Sequence, residues 1–204
     1  MGLMNSYFNW LQKDCPTGEV ERYPQLDDKG QSSLQGCYIV GDLTGIPLLK
    51  TAADSGSKMV RHLCYDKNFS ERMGKDKDIF DILIIGAGPA GISAAIECQK
   101  RKLNYKVIES GDTFNTIKNF PKGKPILCHP EEFDTSSELK LVDGSKESLL
   151  QDLITSIKEY DLKIQTDTHV EKISRKNDLM EVKTKNSTLK SLRVILAIGK
   201  SGNA

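Results

Sequence analysis

The sequence has no apolar stretch near the roughly 20 residues needed to cross a bilayer, and no basic segment followed by an apolar one at its start, MGLMNSYFNWLQKD. Neither a spanning helix nor a secretory leader is therefore read from it. No Cys-x-x-Cys occurs among the five cysteines, Cys15, Cys37, Cys64, Cys98 and Cys128. That excludes a zinc knuckle or a local redox dithiol, and the wide, odd-numbered spacing suits a reducing, cytoplasmic setting. The three histidines, His62, His129 and His169, are as scattered, so no metal site is read. A net charge of +1 gives no reason to expect nucleic acid or an anionic membrane as partner. Internal repeats and low-complexity tracts are also absent. The start matches the loose myristoylation pattern Met-Gly-x-x-x-Ser, which is short enough to arise by chance. What remains is ordinary globular composition, 38% hydrophobic and 28% charged, in 204 residues, enough for one domain and a short appendage.

Residues 1–35 are polar and turn-rich. A short apolar strand, 37–40, then stops at Gly41-Asp42, and a helix is expected from about 47 to 63. "YDKNFSERMGKDKD", 65–78, is dense in charge and reads as a solvated linker or a frayed helix end. From Ile79 the order strand, tight turn, helix, strand marks a βαβ unit. A loop-rich, proline-bearing stretch follows. A helix is expected over 145–161, with Leu149, Leu150, Leu153, Ile154 and Ile157 on one face. "LKIQTD", "HVEKISR", "MEVKTK" and "LRVILAIG" read as short strands.

The turn of the βαβ unit is Gly86-Ala87-Gly88-Pro89-Ala90-Gly91, between the buried strand Ile82–Ile85 and an alanine-rich helix. In that context it predicts a dinucleotide site. Gly86 permits the tight turn, Gly88 admits a pyrophosphate to the backbone, and Gly91 lets the helix approach the sheet. The free N–H groups and partial positive charge of the helix start favour phosphate. The second strand ends in Glu109, followed by Ser110. A carboxylate there accepts hydrogen bonds from ribose hydroxyls and repels a 2′-phosphate. The loop alone does not separate FAD from NAD. FAD also needs contacts for its ribityl chain and flavin. Gly41 and Asp42, with the helix that starts after Pro47, could supply them at the carboxyl edge of the same sheet.

"GCYIVGDLTGIPLLKTAADSG" resembles the Gly-Asp segment that closes the FAD domain of thioredoxin reductases and related pyridine-nucleotide flavoproteins; "DILIIGAGPAGISAAIE" resembles their opening segment. "VILAIGKSG" is similar to their middle motif, with Ile198 in place of the usual threonine, so only backbone roles pass to Ala197 and Gly199. "NTIKNFPKGKPI" resembles the flavin-proximal stretch of the bacillithiol-disulfide-reductase-like branch. Ala90 stands where those enzymes often carry a cysteine, so that chemistry does not pass over. The resemblance implies an α/β fold: a Rossmann-like FAD/NAD(P)-binding three-layer domain with a parallel sheet and a small β-meander. It also implies cofactor contacts at Leu49, at Asn119 and at the strand containing Val170, whose backbone would line the adenine.

The order of the segments is unusual. The Gly-Asp piece comes first here and last in the family. The expected organisation is therefore a permuted FAD domain: residues 1–64 carrying the Gly-Asp piece, a charged linker 65–78, and the main part 79–204, ending where an NADPH domain would begin. Permutation is tolerated where termini lie close together. No second Gly-x-Gly-x-x-Gly is present. The expectation is a flavoprotein oxidoreductase, as a fragment or a version lacking the NADPH domain. It takes electrons from NAD(P)H bound outside this chain and passes them to a small-molecule or thiol/disulfide acceptor. A homodimer is compatible with it. The open alternatives are a non-catalytic FAD-binding module and an NAD-binding Rossmann domain. No side chain stands out as an acid, base or nucleophile.

Overall fold

A computed structural model describes residues 23–129 and 132–199. The myristoylation pattern and Cys15 lie outside the described residues. The elements, in chain order, are β1 (Cys37–Ile39), α1 (Leu49–Tyr65), α2 (Lys67–Ser70), β2 (Phe80–Ile85), α3 (Pro89–Lys100), β3 (Tyr105–Ile108), α4 (Asn115–Lys118), β4 (Pro125–Ile126), β5 (Gly144–Ser145), α5 (Lys146–Glu159), β6 (Ile164–Gln165), β7 (Val170–Lys176), β8 (Leu179–Thr184) and β9 (Thr188–Leu196). A 3₁₀ turn, Gly41–Thr44, follows β1.

Seven strands share one sheet. Five run parallel in the order β6-β3-β2-β9-β1. Strand β9 forks the sheet. One edge pairs parallel with β2 over Ser191–Leu196. The other pairs antiparallel with β8 over Thr188–Ser191 and parallel with β1 over Val194–Leu196. The hairpin β7–β8 completes an antiparallel meander with β9.

The alternation of side chains along a strand explains the layering. In β2, Ile82 and Ile84 enter the core beneath the helices, while Leu83 and Ile85 enter a second core with Met180 and Val182 of the meander. Both faces of the parallel sheet are therefore covered, which is why these strands read as continuous apolar runs. Helices, sheet and meander form the expected three layers, and β1 pairs beside β9 despite its early position in the chain.

Helices α1 and α3 pack closely because Gly56 lies against the backbone of Ala90, where a side chain would collide with the Ala90 carbonyl oxygen. A polar clasp reinforces the contact. Glu97 on α3 accepts from Arg61 Nη2 at 3.1 Å and Arg101 Nε at 2.6 Å. Arg61 Nη2 also donates to the Ser136 carbonyl at 2.9 Å. Asp54 accepts from the Ser136 N–H at 2.7 Å and pairs with Lys58 at 2.7 Å. Burial disfavours the Glu97 carboxylate, but the two guanidinium groups outweigh it and hold its pKa below the ordinary value.

Two readings of local pattern are corrected. Segment 65–78 is not simply solvated: Phe69 of α2 is fully buried, and Asp66 caps that turn by accepting from the Phe69 N–H at 2.8 Å. On α5, Leu149 and Leu153 are buried as expected, but Ile154 is 39% exposed because it sits at the rim of the apolar stripe.

Candidate functional site

The carboxyl ends of β1, β9 and β2 converge on a cleft of about 520 Å³. The glycine loop forms its floor. Gly86 takes φ +108°, and a side chain there would strike the Ala197 carbonyl oxygen. Gly91 lies against the Gly86 carbonyl in the same way, which brings the start of α3 down onto the sheet. Around Gly88, by contrast, nothing lies within 4 Å of where a Cβ would stand, so the backbone is open to the cleft.

Glu109, at the tip of β3, braces this loop. Its Oε2 accepts from the Ala87 N–H at 2.7 Å, and its Oε1 from the Gly111 N–H at 3.0 Å and the Ser110 hydroxyl at 3.1 Å. Across the cleft, Gly41 takes φ +78° and turns the chain after β1. The Gly41 N–H donates to Ser55 Oγ at 2.9 Å, which ties the turn to α1. Asp42 then faces the cleft. Its carboxylate has no partner among the described residues, and burial raises its pKa above the ordinary carboxylate value.

The starts of two helices, Pro89–Ala90 of α3 and Leu48–Leu49 of α1, line the same space. Pro89 carries no N–H and the Leu48 N–H donates to the Ile46 carbonyl at 2.9 Å, so Ala90 and Leu49 carry the first N–H groups left over at each helix start, together with its partial positive charge. One cleft therefore combines two positive helix poles with two carboxylates carried by segments distant in sequence.

Gly41, Asp42, Leu49, Gly88, Pro89, Ala90, Glu109, Ser110, Ala197 and Gly199 all line the cleft. Gly86, Ala87 and Gly91 lie beneath the loop and shape it without lining the cleft. Asn119 and Val170 are not among the residues lining this cleft. Asn119 donates to Asn115 Oδ1 at 3.2 Å on the surface. Val170 packs against the meander core, although the Thr168 N–H beside it donates to the Glu109 carbonyl at 2.9 Å.

Resemblance marked 115–126 as flavin-proximal, but sequence reading did not name the side chains of this opposite wall: Phe114, Ile117, Phe120, Lys124 and Leu127, with His129. Phe114 is buried at φ +54°, and its N–H donates to the Ala87 carbonyl at 3.0 Å, so this wall is fastened to the glycine loop. Lys124 Nζ lies 3.8 Å from the Phe120 ring centroid. The apolar residues of this loop-rich stretch follow neither helical nor strand spacing, so apart from the resemblance their isolated occurrence among prolines and lysines was the available signal.

No group of three metal-ligating side chains occurs among the described residues. The four described cysteines are unpaired, and burial raises each thiol pKa, which disfavours the thiolate. No described helix is long and apolar enough to cross a membrane.

Parallel sheet, glycine loop and the cleft at its carboxyl edge define a Rossmann-like α/β fold. A family profile described as "Pyridine nucleotide-disulphide oxidoreductase" matches residues 83–204, and the chain belongs to that family. It is 32% identical over 130 residues to the NADH dehydrogenase of Bacillus subtilis, a match covering 61% of this chain and 22% of that protein. The chain thus spans about a fifth of the length of that relative. Among solved structures it is similar to the bacillithiol disulfide reductase Bdr (YpdA) from Staphylococcus aureus, with a TM-score of 0.52 and 24% identity over 60% of this chain and 39% of that one. It is also similar to OTEMO in complex with FAD and NADP, with a TM-score of 0.51 and 20% identity over 63% of this chain and 27% of that one.

Proposed function

We propose that the cleft holds FAD and that the chain is the flavin-binding part of an oxidoreductase that receives electrons from NAD(P)H. The observation that carries this reading is the pairing of the open glycine loop with Asp42. A dinucleotide pyrophosphate accounts for the exposed Gly88 backbone at the start of α3. It leaves unexplained why a carboxylate without a partner among the described residues is held at the far end of the same cleft. A ligand that continues past its pyrophosphate into a hydroxyl-bearing chain accounts for both. OTEMO, similar in fold, was solved with FAD and NADP.

In this reading Gly88 and the N–H groups of α3 bind the pyrophosphate, Glu109 meets the adenosine ribose, and Asp42 accepts from a ribityl hydroxyl. The α1 pole and the wall of Phe114, Ile117 and Phe120 orient the ring and keep water from it. The bound flavin would supply the capacity to take up and release electrons. The Gly-Asp piece is the family's closing segment moved to the front, and residues 65–78 join it to the rest. The acceptor is a thiol/disulfide or another small oxidant.

The test is the absorbance near 450 nm of the purified chain and of Gly88→Val. A branched side chain at Gly88 would occupy the space assigned to phosphate. Wild type should be yellow and Gly88→Val colourless. Equal flavin content in the two would remove the pyrophosphate from this loop. A colourless wild type that takes up NAD but not added FAD would favour a nicotinamide-binding domain.

A further inference from the structure

The turn that carries Asp42 is fixed by two hydroxyls. The Gly41 N–H donates to Ser55 Oγ on α1 at 2.9 Å, and the Gly41 carbonyl accepts from Thr44 Oγ1 at 2.8 Å. The Asp42 carbonyl accepts from the Gly45 N–H at 3.0 Å. The backbone on both sides of Asp42 is thus tied down, while its carboxylate has no partner among the described residues.

The direction of the Ser55 hydroxyl follows from its partners. Its oxygen lies 2.7 Å from the Ala52 carbonyl oxygen, which can only accept, and the Gly41 N–H can only donate. The hydroxyl proton therefore points back into α1 and a lone pair points at Gly41, so one side chain joins the helix to the turn. Little slack remains around that joint. Gly41 is buried at φ +78°, and a Cβ there would stand 3.0 Å from the Ala90 Cβ on α3. Without Ser55 the Gly41 N–H becomes a buried donor with no acceptor, which drives the turn to rearrange.

Asp42 and the start of α1 line the same cleft, whereas neither Ser55 nor Thr44 lines it. Ser55 therefore sets the spacing between a carboxylate and a positive helix pole, two groups that would otherwise have to be ordered when a ligand arrives. We propose that Ser55, assisted by Thr44, is a positioning residue for the cofactor, a role that rests on the flavin reading above: it holds the Asp42 carboxylate where the ribityl chain of FAD meets it.

The test is calorimetric titration of the full 204-residue chain, freed of flavin, with FAD and with ADP. ADP carries the adenosine and the two phosphates but no ribityl chain. In Ser55→Ala the affinity for FAD should fall about 2- to 12-fold while that for ADP stays at the wild-type value. Ser55→Thr, which keeps a hydroxyl, should bind FAD as wild type does. In an Asp42→Ala background, Ser55→Ala should cause no further loss of FAD affinity, because the two residues act through one contact. Unchanged FAD affinity in Ser55→Ala, an equal loss for FAD and ADP, or a full additional loss on top of Asp42→Ala would each overturn the role. Should Ser55→Ala fail to fold, Thr44→Val removes the other hydroxyl from an exposed side chain, and FAD affinity unchanged in that variant would overturn the role as well. A wild type that binds ADP but not FAD would instead remove the flavin reading itself, and this role with it.

Discussion

Replacing Gly56 by alanine sets two magnitudes of opposite sign against each other. Gly56 lies within the 17-residue helix α1. By intrinsic helix preference, alanine should stabilise that position by about 0.8–1 kcal/mol. The packing argues the reverse. The added Cβ would overlap the Ala90 carbonyl oxygen and stand 2.9 Å from the Ala90 carbonyl carbon and 3.2 Å from the Ala94 nitrogen. These are backbone atoms of α3 and cannot rotate away. Restoring ordinary carbon contact distances of about 3.5–4 Å forces the helices apart by roughly an ångström, which forfeits dispersion along the interface. It also stretches the Arg61–Glu97 contact, now 3.1 Å. Overpacking of this kind costs about 1–3 kcal/mol and sometimes more. Because the clash is with backbone atoms, the upper part of that range, about 2–3 kcal/mol, applies and outweighs the helix preference, for a net loss of about 1–2 kcal/mol and a melting temperature lower by roughly 2–8 °C for a chain of this size. Urea and thermal unfolding followed by circular dichroism measure it directly. A Gly56→Ala protein as stable as wild type, or more so, would show that α1 and α3 are not in the close contact described. Because Ala90 also lines the cleft, the same variant should hold flavin less tightly.

The Asp42 carboxylate, without a partner among the described residues, should weigh on the cofactor-free protein. Its raised folded pKa means that its contribution to stability is full below the unfolded value of about 3.9 and is lost as pH rises through the folded value. Asp42→Asn should therefore be more stable than wild type at pH 7 without flavin, with a gap that closes in acid; a gap independent of pH would refute the assignment. Asp42→Ala should weaken flavin binding by about 0.5–1.5 kcal/mol, roughly 2- to 12-fold, as read by fluorescence of released flavin. Glu97 should behave oppositely. Its depressed pKa gives stability that is present above the unfolded value of about 4.3 and lost as pH falls through the folded value. Glu97→Gln should cost about 1–3 kcal/mol at neutral pH, discounted because Arg61 and Arg101 are about a third exposed (34% and 35%), and the difference should shrink below about pH 4 in chemical denaturation.

The βαβ unit was legible because its signals are local: the run Ile82–Ile85, a glycine loop directly after it, and a carboxylate at the next strand's tip. Pairing of β1 with β9 was not legible from local pattern. Three residues, Cys37–Ile39, carry no information about their neighbour, and only resemblance of the Gly-Asp segment placed them beside the sheet. Phe69 was lost in a charged stretch because one buried ring among lysines and acids leaves the average hydrophobicity low. The side chains Phe114, Ile117 and Phe120 of the wall went unnamed for a similar reason, although resemblance had marked 115–126 as near the flavin. Its side chains are gathered by a loop whose path is set by tertiary contacts such as Phe114 N–H to Ala87 carbonyl, not by any repeat in sequence. Spacing put Glu109 at the tip of the second strand but could not show that its carboxylate already holds the Ala87 N–H.

The place of β1 at the sheet edge has a kinetic consequence. Strands β2 and β3 can meet early through the short α3 connection, whereas β1 must find β9 across nearly the whole chain. Closing so long a loop costs entropy before the pairing returns any, so the β1–α1 segment should dock late and detach first. Yet α1 forms one wall of the cleft. A ligand filling that cleft clamps the late-arriving segment to the sheet, and loss of the ligand and fraying of this segment become linked events. Amides along α1 should then exchange with deuterium more slowly when flavin is present, and those of β2 should change little.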